Sequence, residues 1–217
     1  MLVAMIACLT LAAGFAWAQT SSGFFDPFDV FDDARWTKVD RPFGHGQLSS
    51  QNIGISDGNL SIKLPADTQD GGEVVSGAEY GYGSYRARMK TPYAPSSITA
   101  FFLYKAPDYQ SEIDVELYND GSRRVMFSTY SGGRQTHTQR MKLPFDPAEG
   151  FHEYRFDYAS GSVSFYADDR LMKRWKHGIP KGPMNLYVNA WYPTWLEGTA
   201  PSTDAFVYVD SIRYTSS

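Results

Sequence analysis

Apolar and polar residues alternate with a period of two through most of this chain. Asn59-Leu60-Ser61-Ile62-Lys63-Leu64 alternates after the turn Ser56-Asp57-Gly58. Gly83 to Lys90 alternates again and stops before Pro92. Ser97 to Tyr104 is a continuous apolar run, as expected of a strand buried on both faces. Tyr154 to Tyr158, Val163 to Tyr166, Leu171 to Trp175 and Phe206 to Tyr214 complete the pattern, and Ala167-Asp168-Asp169-Arg170 reads as a hairpin turn. Beyond residue 18 no apolar stripe of helical period is sustained. Many short strands separated by Gly, Pro, Asn and Asp predict an all-β sandwich or barrel. No linker or repeat interrupts residues 19–217, so one domain is expected.

One of these strands carries unusual chemistry. In Ser111-Glu112-Ile113-Asp114-Val115-Glu116-Leu117, the alternation puts Glu112, Asp114 and Glu116 on one face and Ile113, Val115 and Leu117 on the other. Three neighbouring carboxylates repel one another unless they are solvated, share a cation, or hold a proton. Taken by itself the row reads first as a solvated acidic face, with a cation site or acid–base chemistry as alternatives. No His or Cys joins the row, which disfavours a transition metal.

Composition narrows the picture in three ways. The 217 residues carry a formal net charge of -4 and no basic run, which argues against a nucleic-acid partner. Aromatic residues make up 16% of the chain, enough both to fill a core and to line a sugar-stacking surface. Leu2 to Trp17 is uncharged and mostly apolar, and Ala16-Trp17-Ala18 presents small residues where a signal peptidase reads. Residues 1–18 are therefore read as a signal peptide, with an uncleaved anchor as the minor alternative. The sole cysteine, Cys8, falls inside that segment, so the mature protein is expected to hold no disulfide.

Glu-Ile-Asp-Val-Glu at 112–116 resembles the signature of glycoside hydrolase family 16, and the likeness to that family's bacterial licheninases (endo-1,3-1,4-β-glucanases) extends well beyond it. Phe24-Phe25-Asp26-Pro27-Phe28, Asp57-Gly58, Glu73, Tyr80-Gly81-Tyr82-Gly83-Ser84-Tyr85, Phe101 to Tyr104, Phe145-Asp146, Gly150-Phe151-His152, Asn189-Ala190-Trp191 and Val209-Asp210 all match. The resemblance implies a concanavalin A-like β-jelly roll of two curved antiparallel sheets, with substrate lying across the concave face. It implies retaining hydrolysis, with Glu112 as nucleophile, Glu116 as general acid/base and Asp114 tuning their ionisation. A retaining pair needs carboxyl groups about 5–5.5 Å apart. Four residues of flat strand separate Cα atoms by about 13 Å, so the two long Glu side chains must lean together. The uninterrupted Glu-x-Asp-x-Glu is similar to licheninases and xyloglucan endotransglycosylases rather than to the bulged laminarinase-like branches.

The same resemblance implies sugar contacts from Glu73, Phe102, Tyr104, Tyr130, Asn189, Trp191 and Trp195, and from Phe43 and His45 over the glycone side. His137 is read as structural. Val75, Ser128 and Gln110 stand where licheninases carry Arg, Asn and Trp, which weakens the mixed-linkage assignment more than the hydrolase assignment. Pro27, Gly58 and Asp210 match a structural Ca²⁺ site, and no cofactor is expected for catalysis. The expectation is a secreted, monomeric endo-β-glucanase acting on polysaccharide, free of the membrane after signal cleavage. β-1,3-Glucan hydrolysis, transglycosylation and a lectin-like binding protein remain the alternatives.

Overall fold

The computed structural model describes residues 23–217; the expected signal peptide, with Cys8, lies outside them. Two antiparallel sheets pack face to face. One runs, in spatial order, β15 (Arg170–Trp175), β14 (Ser162–Ala167), β13 (His152–Ala159), β8 (Gly83–Lys90), β17 (Ala205–Ser216), β6 (Asn59–Leu64) and β5 (Ile53–Ser56), and β1 (Gly23–Asp26) also pairs with β17. The other runs β12 (Gln135–Lys142), β11 (Arg124–Ser131), β10 (Ser111–Tyr118), β9 (Ile98–Lys105), β16 (Met184–Trp191), β7 (Gly72–Tyr80) and β2 (Trp36–Lys38). A separate hairpin joins β3 (Arg41–Phe43) to β4 (Gly46–Leu48). This is an all-β sandwich, one of the two architectures that the alternation predicts, and it is the β-jelly roll that the resemblance implies.

The core forms because each strand turns its apolar set inward. Phe101 and Leu103 on β9, with Ile113, Val115 and Leu117 on β10, are fully buried. Rings from the two sheets meet between them: Phe101 lies 5.2 Å from Phe156, and Phe127 stacks 4.6 Å from Phe165. Trp36 on β2 donates its indole N–H to the Asp26 carboxylate at 2.8 Å, tying the two sheets together at one end. The hairpin turn between β14 and β15 is also where the sequence puts it. Asp168 and Asp169 both have positive φ, the backbone that a tight two-residue hairpin turn requires.

The β9 run is buried on both faces from Ile98 to Leu103, for two different reasons. Phe101 and Leu103 enter the core, whereas Ala100 and Phe102 lie on the outer face beside Asn189 and Tyr187 of β16. That outer face carries the candidate site.

Candidate active site

Register builds the site. β10 pairs with β9 on one side and β11 on the other without a break, so the carboxylate face of β10 continues across the sheet as rows of directly opposed residues. Glu112 faces Tyr104 and Tyr130; Asp114 faces Phe102 and Ser128; Glu116 faces Ala100 and Met126. Pairing of β16 with β9 and β7 extends these rows, two of them toward the cleft wall. Ala100 faces Asn189, which faces Glu73, and Phe102 faces Tyr187, which faces Val75. Ala100 is the small member of its row, and its methyl leaves space between Glu116 and Asn189. The result is a cleft of about 540 Å³ with the three carboxyl groups on its floor.

Burial dominates the electrostatics of that floor. Asp114 is held well above the usual carboxylate range, first by loss of water and then by the charges of Glu112 and Glu116 on either side. It therefore keeps its proton and shares a hydrogen bond with Glu112. Burial also pushes Glu112 up, to about 7; the bond from Asp114 pulls it back down and the nearby Asp108 pushes it up. Glu116 is pushed to about 8 by burial and by Glu112, against the pull of Arg140, which lies in the same row two strands away. The least costly ionised form thus has Glu112 charged, Asp114 neutral and Glu116 protonated. A carboxylate beside a carboxylic acid is the arrangement that nucleophilic and acid–base steps need.

The sequence-predicted contacts divide into three groups. Phe102, Tyr104, Tyr130, Trp191, Trp195 and Phe43 line the cleft. Phe43 packs 4.2 Å from Trp191, and the Tyr104 hydroxyl donates to Asp108 at 2.5 Å. Asn189 also lines the cleft, but its amide N–H₂ donates to Glu73 at 2.8 Å. Glu73 is fully buried in the cleft wall, where it accepts from Asn189 and, at 3.0 Å, from Arg41. Its carboxylate is committed to protein partners, so it braces the wall. His45 does not line the cleft: its Nε2 lies 3.0 Å from the Leu196 carbonyl, and its ring ties the hairpin turn to the loop that carries Trp195. His137 has the structural place expected of it, 2.7 Å from the His177 carbonyl and stacked on Trp175.

Several groups in or near the cleft escaped the sequence reading, among them Tyr187, Asp108 and Arg41 in its lining and Arg140 outside it. Tyr187 stacks on Phe102 at 4.8 Å, and the period-two series Tyr187-Asn189-Trp191 was the signal for it. Asp108, Arg140 and Arg41 had no such signal, because each approaches through a loop or a neighbouring strand.

The raised carboxyl values have a consequence for stability. In the unfolded chain Glu116 would lose its proton near 4.5, but in the fold it keeps it to about 8. The fold therefore binds the extra proton, and stability falls as pH rises between those values; below the lower one nothing is lost. Replacing Glu116 with Gln should raise Tm by several degrees at pH 8 and by almost nothing at pH 4, measured by thermal unfolding across that range. An equal Tm for both proteins at pH 8 would contradict the buried, proton-holding site.

Comparison with known proteins agrees with this geometry. Residues 45–206 match the model of the glycosyl hydrolases family 16. A beta-glucanase of Bacillus subtilis (strain 168) is 31% identical over 216 residues, covering 92% of this chain and 89% of its own length. A beta-glucanase of Paenibacillus polymyxa is 30% identical, covering 89% of this chain and 87% of its own. Among solved structures, Bacillus licheniformis beta-glucanase superposes with a TM-score of 0.83 at 28% identity, covering 92% of this chain and all of that one. A prokaryotic beta-1,3-1,4-glucanase (lichenase) derived from a mouse hindgut metagenome gives 0.81 at 26% identity, covering 89% of this chain and 99% of that one. With a matching family model over most of its length, near-full-length relatives and a carboxylate row at the floor of its cleft, the chain belongs to glycosyl hydrolase family 16.

Proposed function

We propose that the protein is a secreted, endo-acting β-glucan hydrolase that retains anomeric configuration and prefers mixed-linkage 1,3-1,4-β-glucan. The observation that carries the reading is the row Glu112–Asp114–Glu116, buried at the floor of an open cleft with its protons unequally held. Relatives that are β-glucanases support the substrate class. A carbohydrate-binding protein would gain nothing from a row whose ionisation opposes folding.

Glu116 donates its proton to the glycosidic oxygen as the bond to the anomeric carbon breaks, and the Glu112 carboxylate attacks that carbon from the opposite face. A glycosyl ester on Glu112 results, and the aglycone leaves. Loss of the Glu112 charge removes one of the two influences that raise Glu116, the other being burial, so Glu116 ionises more readily in the intermediate. Glu116, now ionised, takes a proton from water, which attacks the anomeric carbon and releases Glu112 as carboxylate. Asp114 keeps its own proton throughout and donates to Glu112, steadying the charge as it forms and reforms.

Barley β-glucan, lichenan, laminarin and xyloglucan form the substrate panel. Wild type should cleave the first two fastest, and Glu112→Gln should lose at least about a thousandfold in kcat with an unchanged thermal transition. Activity surviving that substitution would remove Glu112 from the nucleophile role. Activity confined to laminarin would remove the mixed-linkage preference, an outcome to which Val75 and Ser128 lend some weight.

The pH profile of kcat/KM should be bell-shaped. It requires Glu112 ionised, so it rises through about 7, and Glu116 protonated, so it falls through about 8. Both apparent constants belong to the coupled row rather than to single residues. The Arg140 charge favours ionised Glu116, so Arg140→Gln should move the alkaline limb to higher pH and leave the acid limb nearly in place. A limb that stays fixed would show that Arg140 is too solvated to act.

The calcium ion implied for Pro27, Gly58 and Asp210 would serve stability alone. β6 pairs along β17 as far as Val209 and β1 pairs from Ile212, which leaves a gap beside Asp210 and Ser211 at the β17 bulge. Pro27 and Gly58 stand just past the ends of the strands that flank this gap. Asp210 forms an ion pair with Arg88 at 3.1 Å and accepts from the Ser211 hydroxyl at 3.0 Å, which leaves acceptor positions on its carboxylate. Oxygen donors of this kind fit Ca²⁺, and Arg88 would compete with the ion for Asp210. Millimolar Ca²⁺ should raise Tm of the wild type and not of Asp210→Ala; no rise in the wild type would rule the site out.

A further inference from the structure

Arg41 is the one cation among the described residues that line the cleft. It stands on β3 of the separate hairpin, and its Nη2 donates to Glu73 Oε1 at 3.0 Å. The two partners differ sharply in exposure: the Glu73 side chain is 1% exposed and that of Arg41 is 45%. Glu73 thus fixes one corner of the guanidinium from below. Phe43 supports its plane at 4.2 Å, and Trp191 backs Phe43. A guanidinium has five N–H donors, and a single bond to Glu73 leaves most of them for the cleft.

A matching acceptor lies beside it. Asn189 gives its N–H₂ to the other oxygen of Glu73, and its Oδ1 is buried without a partner. Asn189 faces Ala100, which faces Glu116, so this acceptor lies in the row of the proposed general acid. Fixed donors on Arg41 and an unfilled acceptor on Asn189 therefore flank a space walled by Phe43 and Trp191. That combination suits a sugar ring: apolar contact for its face, and both donor and acceptor for neighbouring hydroxyls.

We infer that Arg41 is a specificity-determining residue that donates to the hydroxyls of an uncharged sugar unit bound on the β7 side of the carboxylate row. The inference rests on the hydrolase reading above. The sugar is uncharged because Glu73 already neutralises Arg41. An anionic substituent there would meet no net positive charge, and would lie near the acidic floor.

The bland alternative is that the pair only clasps the hairpin to the sheet. The hairpin has fastenings of its own. His45 N–H donates to the Tyr192 carbonyl at 2.8 Å, and Gly71 N–H donates to the Gln47 carbonyl at 2.8 Å. Gln47 N–H donates to Asp70 Oδ1 at 2.9 Å. Gly44, at φ +62, packs so closely on Tyr192 and Trp191 that a Cβ would lie 2.1 Å from the Tyr192 carbonyl oxygen.

The test is calorimetric binding of a neutral mixed-linkage glucotetraose to the full chain carrying Glu112→Gln, with and without Arg41→Lys. Lysine keeps a cation for Glu73 but loses the planar fork. Tm should hold, while Kd should weaken about tenfold, as expected when a site built around hydroxyl contacts loses some of them. In the otherwise wild-type enzyme the same change should raise KM more than it lowers kcat. A carboxymethylated glucan should bind no more tightly than the neutral one. Unchanged binding in Arg41→Lys overturns the inference. So does Arg41→Met, if adding Glu73→Met restores both Tm and binding, since that would make the pair a clasp. Tighter binding of the carboxymethylated glucan overturns the uncharged-sugar assignment, and no binding by the parent overturns the subsite altogether. Arg41-dependent binding in a protein that cleaves no glucan would sink the hydrolase reading alone; cleavage with Arg41-independent binding would sink this inference alone.

Discussion

Three carboxyl groups taken out of water side by side are the constraint on which the rest of the site depends. Full ionisation of Glu112, Asp114 and Glu116 would oppose folding through both desolvation and repulsion. The fold avoids this by retaining protons, first on Asp114 and then on Glu116. What makes the row tolerable is therefore also what makes it reactive. One ionised carboxylate remains, next to a neutral neighbour that hydrogen-bonds it and an acid that cannot readily ionise while it is charged. The opposite face of the same strand supplies the anchorage, since Ile113, Val115 and Leu117 are locked into the core.

Around that row, antiparallel pairing places the walls. The outward side chains of β9, β10, β11, β16 and β7 fall into rows, so the neighbours of each carboxyl group follow from register. Tyr104 and Tyr130 enclose Glu112, and Phe102 and Tyr187 stack beside Asp114. Ala100 leaves room beside Glu116. The change of size along β9, from Ala100 to Phe102 and Tyr104, thus sets a small side chain beside Glu116 and aromatic rings beside Asp114 and Glu112.

Two arginines act on this site in different ways. Arg140 lies on the outer strand β12, exposed, and works through its charge on Glu116. Solvent screens much of that influence, so it trims the ionisation of the acid without reversing it. Arg41 is paired with a buried carboxylate, so its net charge is cancelled and its value lies in geometry. Lost family positions such as Val75 need not leave the cleft without a guanidinium when a neighbouring hairpin can deliver one to the same wall.

Alternation alone was enough to read the all-β class, the hairpin turn at Asp168-Asp169, and the shared face of Glu112, Asp114 and Glu116, because strand geometry obeys a local period of two. The same rule held Tyr187 in the series with Asn189 and Trp191, where it went unread. Resemblance to the family added roles to the acidic row and named most of the cleft aromatics. Three-dimensional packing decided what no local period encodes. Glu73, expected to meet sugar, is buried under Arg41 and Asn189, and His45 turns to the Leu196 carbonyl instead of the cleft. Both outcomes depend on where the β3–β4 hairpin comes to rest against β7 and β16, contacts separated by tens to well over a hundred residues in the chain. Periodicity fixes which way a side chain points from its own strand; only the assembled sheets determine which partner is there to receive it.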